Sequence, residues 1–332
     1  MHSNLNQTEM ALSIMDKRGR GSIEKARQEI LSLRYNVGVV SSALRYYANV
    51  SFLGVLPLFP TLVSIACEAS GGKNEKSEAI SAAMMLITAA GDIHDDVIDK
   101  SETKHSKKTV FGKFGSGIAL LAGDAVLVQG LTALYRECQS LSERQSKAIT
   151  TLIPKTFFEI SKGEADEIRL MAKKAIATRE YFEVIRLKGV VAETMCRIGG
   201  ILGGADEETL EILSNYGRTI GILSTIKDEF GDIQDTSELQ HRLLNECPPL
   251  PMLYAFQDMQ IQSKIKALIK NSKLTRNNAR KIAKIILCSE KVQALTEEVT
   301  QIANKELKRF LVKESLAKTD AELLLRVMIE FL

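Results

Sequence analysis

The chain of 332 residues is 45% hydrophobic and 26% charged, a composition that can fill a large core and that excludes a disordered tail or a fibre. Six prolines, 21 glycines, no tryptophan and 5% aromatic residues provide too few turn and ring residues for a β-sandwich or a propeller. The formal net charge of +3 does not indicate a nucleic-acid partner. We therefore predict an all-α protein that binds no nucleic acid.

The N-terminal segment and the cysteines bear on the cellular compartment. The first 22 residues contain no sustained apolar stretch, so we expect a flexible segment over 1–22 and no signal peptide. The five cysteines lie far apart without a Cys-x-x-Cys pair, which indicates neither a disulfide framework nor a zinc site. We expect a cytoplasmic protein.

Apolar residues recur at helical spacing along nearly the whole chain, and no run of alternating residues predicts a strand. The breaks between the helical segments are short, so we predict a single domain over 1–332. The predicted helices cover 23–48, 57–70, 75–99, 110–138, 141–163, 179–203, 207–233, 238–257, 260–271, 275–312 and 319–331.

The run from Tyr46 to Cys67 contains no charged residue and is long enough to cross a bilayer. Pro57 and Pro60 interrupt it, and prolines break a spanning helix. We predict a buried, broken helix and no transmembrane span, with a membrane segment as the alternative.

The first chemical signal lies at the end of the apolar helix predicted over 75–99. Asp95 and Asp99 are four residues apart and Asp96 and Asp99 are three apart, so all three carboxylates converge on one face of a helix. Like charges at this spacing repel each other and call for a cation. Mg²⁺ is the usual cation where carboxylate and phosphate oxygens meet.

A second cluster repeats this spacing at the end of another apolar helix, with Asp228, Glu229 and Asp232. We expect the intervening helices to bring the two clusters face to face across a bundle. Two facing clusters suit a diphosphate held by several Mg²⁺ ions, because each ion takes one or two carboxylates and completes its shell with phosphate and water oxygens.

A basic segment follows between Lys264 and Lys284, with eight lysines and arginines and no interleaved aromatic residue. We interpret it as a solvated helix face. A membrane-surface or nucleic-acid patch is the alternative.

With both clusters in view, the chain resembles the all-trans polyprenyl diphosphate synthases, the family of farnesyl and geranylgeranyl diphosphate synthases. Further likenesses are Leu120-Leu121-Ala122-Gly123-Asp124, the Gly163-Glu164 pair and the segment running into Leu250-Pro251. The resemblance implies a helical bundle of the isoprenoid synthase type and Mg²⁺ as cofactor. The implied metal ligands are Asp95, Asp96, Asp99, Asp228, Glu229 and Asp232. The implied substrate-binding residues are Lys104, His105, Lys188 and Thr225.

The resemblance implies a prenyltransferase that joins an allylic diphosphate to isopentenyl diphosphate, with no catalytic residue beyond the metal ligands. A homodimer, or a heterodimer with a homologous synthase, is also implied. The sequence departs from the family where a Gly-Gly-Lys-Arg run binds isopentenyl diphosphate, because Gly54 is followed here by Val55, Leu56 and Pro57. Two alternatives therefore stay open: a regulatory or weakly active partner subunit, and an allylic diphosphate lyase or terpene cyclase.

Product length is predicted from the helical turn before the first cluster. Gly91 and Ala90 lie four and five residues before Asp95, about one turn away along the helix. In the family, bulky residues at this level stop chain growth early, whereas here the first large side chain is Ile87. We predict a geranylgeranyl or longer product.

Overall fold

The computed structural model describes residues 2–33, 38–104, 106–269, 274–313 and 320–330. The regular structure of this part of the chain is almost entirely α-helical, which confirms the predicted fold class. In chain order its elements are α1 (His2–Leu31), α2 (Val39–Val50), a 3-10 helix (Phe52–Gly54), α3 (Leu58–Ala69), α4 (Asn74–Ile98), β1 (Thr103–Lys104), β2 (Lys107–Lys108), α5 (Val110–Phe114), α6 (Ser116–Cys138), α7 (Glu143–Met171), α8 (Thr178–Lys188), α9 (Val190–Gly203), α10 (Glu207–Gln234), α11 (Thr236–Asn245), α12 (Leu250–Ala255), α13 (Met259–Ile269), α14 (Arg276–Leu287), α15 (Glu290–Val312) and α16 (Asp320–Glu330).

Two compact units make up the chain. The first comprises Met1–Pro154, Met195–Leu213 and Lys318–Ala321. The second comprises Lys155–Thr194, Ser214–Ala317 and Glu322–Leu332. The single domain predicted from the sequence stays a prediction.

Helix α4 is the centre of the first unit and packs against α1, α3 and α6. Its side chains Ile80, Leu86 and Ile93 are fully buried. Gly130 of α6 lies directly against Ile87, where an added Cβ atom would lie 2.9 Å from the Ile87 backbone nitrogen. The absence of a side chain at Gly130 therefore allows α6 to approach the helix that ends in the first carboxylate cluster.

The N-terminal segment differs from the expectation of a flexible stretch over 1–22, because α1 begins at His2. Ala11 and Met15 are buried, and an added Cβ atom on Gly19 would lie 2.6 Å from the backbone oxygen of Pro57. These positions recur every four residues, the spacing of one helix face. Small residues form much of the buried face of α1. The polar composition of the segment therefore did not predict a packed helix.

The uncharged run after Tyr46 is broken near the prolines, as predicted. Helix α2 ends at Val50, and α3 begins after Pro57 and is buried from Pro60 to Cys67. Among the described residues, Ser116–Cys138 is long and apolar enough to cross a membrane. Val39–Gly54 and Leu58–Ala69 are long and apolar enough only when taken together, and the pair is bent by 65°.

Helix α12 is central to the second unit, where it packs against α8, α14 and α15. Met252 of α12 lies in one apolar cluster with Ile282 and Ile286 of α14 and Val292 of α15. Ile265 of α13 belongs to the same cluster. This core supports the end of α10, which carries the second carboxylate cluster, because Ile233 is also one of its members.

Candidate functional site

The first carboxylate cluster lies in the last turn of α4. Asp95 and Asp99 are half-buried and lie four residues apart, and the Asp99 amide donates a 2.8 Å hydrogen bond to the Asp95 carbonyl oxygen. Asp96 is buried. The helical turn therefore leaves Asp95 and Asp99 accessible on one face and directs Asp96 inward.

The inward carboxylate belongs to a charged network around Lys104. The Lys104 Nζ atom lies 2.8 Å from Asp96 Oδ1 and 2.9 Å from Asp92 Oδ1. The hydroxyl of the buried Tyr47 donates a 3.2 Å hydrogen bond to Asp92 Oδ2. Burial raises the pKa of Asp96 to about 7, although Lys104 opposes that change. Asp96 thus pairs with the cation of Lys104, and its metal-ligand role stays a prediction.

A small hairpin places Lys104. β1 and β2 pair antiparallel, with Lys104 opposite Lys107 and Ser106 at a φ of 63° in the turn. Thr109 anchors the hairpin, since its Oγ1 atom donates to the Ser101 carbonyl oxygen at 2.6 Å. The predicted substrate-binding residue His105 is outside the described residues.

The segment that replaces the family's basic run lies between the 3-10 helix and α3. Leu56 is half exposed, and the Arg20 Nη1 atom donates a 3.4 Å hydrogen bond to the Val55 carbonyl oxygen.

Cations are also present near the hairpin. The Tyr46 hydroxyl donates to the Lys108 carbonyl oxygen at 2.7 Å, and the Lys113 Nζ atom lies 3.8 Å from the Tyr46 ring centre.

The residues predicted to set product length have different surroundings. An added Cβ atom on Gly91 would have no neighbour within 4 Å, so this position borders open space. Ala90 is 1% exposed and is packed inside the first unit. Ile87 lies against Gly130 of α6. Of the three residues, Gly91 shares the face of Asp95, because four residues separate them.

The second carboxylate cluster lies in the last turns of α10. Asp228 is exposed and Asp232 is half-buried on the same face, four residues apart. Burial raises the pKa of Asp232 to about 6, whereas Arg242, whose Nε atom lies 3.7 Å from Asp232 Oδ2, opposes that change. This pair repeats the geometry of Asp95 and Asp99.

Glu229 is buried and has a complete set of protein partners. Its Oε1 atom accepts hydrogen bonds from the Tyr181 hydroxyl at 2.5 Å and from Arg242 Nη2 at 2.7 Å. Its Oε2 atom accepts from the Leu250 amide at 2.8 Å. Arg242 also pairs with Glu246. This arrangement does not favour the predicted metal-ligand role of Glu229 and indicates an anchor for the end of α10.

The two other predicted substrate residues in the second unit also have protein partners. The Lys188 Nζ atom lies 2.7 Å from Glu167 Oε2 and 3.1 Å from Glu164 Oε1. The Thr225 hydroxyl donates a 3.1 Å hydrogen bond to the Gly221 carbonyl oxygen, one turn before Asp228. Their roles in substrate binding stay predictions.

The donor chemistry of the two clusters fits a hard divalent cation. Within the described part of the chain, no group of three or more His, Cys, Asp and Glu side chains is arranged to hold a metal ion by itself. Mg²⁺ is commonly bound by one or two carboxylates together with phosphate oxygens and water. The accessible pairs Asp95 with Asp99 and Asp228 with Asp232 therefore suit Mg²⁺ that arrives with a diphosphate.

Sequence comparisons place these residues in a known family. Residues 55–286 match the sequence profile described as polyprenyl synthetase. A short chain isoprenyl diphosphate synthase from Methanothermobacter thermautotrophicus is 25% identical over 228 residues, 68% of each protein. A geranylgeranyl diphosphate synthase from Methanosarcina mazei is 30% identical over 183 residues, 55% of this chain and 56% of the relative. Heptaprenyl diphosphate synthase component 2 from Geobacillus stearothermophilus is 26% identical over 215 residues, 63% of this chain and 65% of the relative.

Solved structures share the fold along nearly the whole chain. Geranylgeranyl pyrophosphate synthetase from Pyrococcus horikoshii Ot3 superimposes with a TM-score of 0.81 at 23% identity, covering 97% of this chain and 99% of that chain. A polyprenyl synthase from Caulobacter crescentus CB15, complexed with calcium and isoprenyl diphosphate, gives a TM-score of 0.75 at 18% identity and covers 96% of both chains. The predicted isoprenoid synthase fold is thus confirmed, and with the profile match over most of its length, the chain belongs to the polyprenyl synthetase family.

Proposed function

We propose that this protein is a prenyltransferase that condenses an allylic diphosphate with isopentenyl diphosphate to a geranylgeranyl or longer trans-polyprenyl diphosphate. The observation that carries the proposal is the accessible pair Asp95 and Asp99 at the end of α4. Beside this pair, Asp92 and Asp96 of the same helix hold Lys104. Family membership and the named synthases among the relatives support the same enzyme class.

In the proposed reaction, the bond between the allylic carbon and the diphosphate oxygen breaks and leaves a carbocation. The double bond of isopentenyl diphosphate supplies the electron pair for the new carbon–carbon bond, and the proton that is then lost passes to the released diphosphate. Mg²⁺, when bound, would neutralise charge on the departing oxygens. Asp95 and Asp99 would hold it in the first unit, and Asp228 and Asp232 in the second.

Lys104 would contact the diphosphate directly. An ammonium group has three N–H donors, of which Lys104 donates one to Asp92, while Asp96 lies within ion-pair distance of the same nitrogen. Another of its N–H groups can be donated to a phosphate oxygen, as a charge-assisted hydrogen bond. Because the network fixes its position before substrate arrives, Lys104 would bind the leaving group without a large loss of side-chain entropy.

The second substrate needs cations that the segment after Gly54 does not provide. Lys107, Lys108 and Lys113 lie near the contact between the hairpin and Tyr46, and all three are exposed. We propose that these lysines bind the isopentenyl diphosphate. Because exposed cations are screened by salt, the KM for this substrate should rise with ionic strength.

A second candidate is a partner subunit that supports a separate synthase. The missing basic run favours it, as does the likeness to proteins named heptaprenyl diphosphate synthase component 2. A lyase or terpene cyclase is the remaining alternative. Purified protein incubated with Mg²⁺, isopentenyl diphosphate and allylic diphosphates of several lengths separates these functions. Elongated products support the prenyltransferase, a cyclised or hydrolysed product supports the lyase, and turnover only with an added synthase supports the partner subunit.

The metal role of the clusters is tested by Asp95→Ala and Asp228→Ala, which each remove a carboxylate from an accessible pair. Each variant should lose most of its product formation and its Mg²⁺-dependent binding of a non-reactive allylic diphosphate analogue, measured by calorimetry. Glu297→Ala, at an exposed position of α15, is the matched control and should bind as the unaltered protein does. Unchanged Mg²⁺-dependent binding in both aspartate variants would contradict the proposal.

We also propose that the protein acts as a homodimer or a heterodimer in the cytoplasm. Exposed apolar side chains on α6, among them Leu121, Val128 and Tyr135, support the association. The presence of five free cysteines, four of them buried, supports a reducing compartment.

A further inference from the structure

A groove runs between α13 and α14 in the second unit, apart from the second carboxylate cluster of that unit. Its volume is about 630 Å³, within the range of small-molecule sites. The lining residues recur at helical spacing on each helix, which makes the groove the joint face of two packed helices. They are Lys264, Ala267, Leu268, Lys281, Lys284, Ile285 and Cys288.

The groove combines an apolar floor with a cationic rim. Ala267, Leu268 and Ile285 provide hydrocarbon surface, and Lys264, Lys281 and Lys284 are exposed lysines. None of the lining residues is acidic, and the sequence contains no aspartate or glutamate between Met259 and Ser289. The positive charge at the rim is therefore not offset by carboxylates from either helix.

The two helices that form the groove are held together beneath it. Asn278 donates a 3.0 Å hydrogen bond from its Nδ2 atom to the Leu268 carbonyl oxygen, which ties α14 to α13. Ile265, Ile282 and Ile286 are fully buried on the opposite faces of the two helices. The groove is thus formed before any ligand binds, which reduces the entropy cost of binding.

We propose that this groove binds a single-chain amphiphilic phosphate, with the hydrocarbon chain on the apolar floor and the phosphate on the lysine rim. Burial of methylene groups is favourable in water, and lysines form charge-assisted hydrogen bonds with phosphate oxygens. Charge complementarity selects an anion, and the apolar floor selects a chain over inorganic phosphate. No aromatic side chain lines the groove, so the stacking surface that single-stranded nucleic acids need is missing from it.

Recognition here would differ from that at the carboxylate clusters, because ammonium groups bind a phosphate without a metal ion. Binding in the presence of EDTA therefore separates the two kinds of site. Cys288 lines the groove and is the exposed cysteine, while the other four are buried. Its rate of reaction with a maleimide reports occupancy of this groove specifically, since buried thiols react slowly.

The experiment measures maleimide labelling of Cys288 in the full-length protein with EDTA and dodecyl phosphate below its critical micelle concentration. We expect the ligand to slow labelling at least fivefold, with saturation. Lys281→Glu and Lys284→Glu should each weaken the apparent affinity about fivefold or more, the effect of about 1 kcal/mol per lysine. Lys266→Glu and Arg280→Glu change exposed cations of the same two helices outside the groove lining, and should change the affinity less than twofold. Thermal unfolding of each variant checks that it is folded.

Several outcomes would overturn the proposal. One is labelling that dodecyl phosphate leaves unchanged, and another is equal protection by dodecanol or by inorganic phosphate alone. Affinity that survives in both Lys281→Glu and Lys284→Glu, or that disappears in Asp95→Ala, would place the ligand elsewhere. Protection by vesicles of anionic phospholipid without protection by the monomeric ligand would identify a membrane-binding surface instead.

Discussion

At the scale of single residues, Arg242 links the side chains around the second cluster. Its guanidinium group lies 2.8 Å from the Tyr181 hydroxyl and 2.7 Å from Glu229 Oε1, and it also pairs with Glu246. A complete buried ion pair adds little net stability, but removing one partner leaves the other charge buried without compensation and destabilises the protein. The network therefore determines whether the end of α10 keeps its shape.

Arg242→Ala should lower the free energy of unfolding by about 3–5 kcal/mol, because it leaves Glu229 buried without its cation. Glu229→Gln should lower the free energy of unfolding by less, since the amide oxygen still accepts hydrogen bonds. If Glu229 is an anchor, Glu229→Gln will keep the Mg²⁺ dependence of the unaltered protein. Urea unfolding and a Mg²⁺ titration of product formation measure the two effects. A large rise in the Mg²⁺ requirement of a stable Glu229→Gln protein would restore the metal-ligand role.

Lys104 is the cation that pairs with the carboxylates around the first cluster, as Arg242 does around the second. Lys104→Met removes one charge-assisted hydrogen bond to the diphosphate and leaves Asp92 and Asp96 without their cation. The KM for the allylic diphosphate should rise about tenfold or more, as the loss of about 1.5–3 kcal/mol implies. Lys104→Arg should restore much of the affinity. Lys147→Met, at an exposed position of α7, is the control. Equal KM values in Lys104→Met and Lys147→Met would exclude contact with substrate.

The partners of these residues mark the limit of prediction from the sequence. The pairs Asp95 with Asp99 and Asp228 with Asp232 were predictable, because spacing along a helix sets which side chains share a face. Glu229 shares the same motif, but its partners Tyr181 and Leu250 are 48 and 21 positions away. Asp92 lies four residues before Asp96, so its place on the same face was predictable, whereas its contact with Lys104 depends on the hairpin that follows.

At the scale of elements, the packing of α4 against α6 decides which residues in the last turns of α4 border open space. Helical spacing predicted that Ala90 and Gly91 both lie one turn from the metal site. The structure separates them, because Ala90 is packed in the core and Gly91 borders open space. The orientation of α4 in its unit could not be predicted from α4 alone, since it depends on the close approach of Gly130.

Gly91→Phe should shorten the main product by one or more isoprene units, because the ring would occupy the open space one turn from Asp95. Ala90→Phe should mainly destabilise the protein, since overpacking a core costs about 1–3 kcal/mol or more. Gly91→Ala is the control, and should keep product length while adding about 0.5–1 kcal/mol of stability in the helix interior. Product sizing by chromatography and thermal unfolding measure both effects. A folded, active Gly91→Phe protein with products of unchanged length would show that the chain grows elsewhere.

At the scale of the whole molecule, the outer face of α6 exposes several large apolar side chains that the core does not use. Leu121, Val128 and Tyr135 are 55%, 63% and 65% exposed and recur every seven residues. That interval places them on one side of a helix, as an apolar stripe. Such stripes mark interfaces with protein or membrane, because a monomer in water gains nothing from exposing them.

Val128→Asp should convert the proposed dimer to monomers, because a dimer would have to bury an unpaired charge at the centre of the stripe. Sedimentation velocity over a range of protein concentrations measures the change, and a shift of at least tenfold in the dissociation constant is expected. Val312→Asp is the matched control, since Val312 is 87% exposed at the end of α15. Both variants add the same charge at an exposed valine. A difference between their dissociation constants therefore shows that the stripe on α6 is part of the interface. A dimer that persists equally in both variants would exclude this face, and a monomeric unaltered protein that binds neutral vesicles through Val128 would assign the stripe to a membrane.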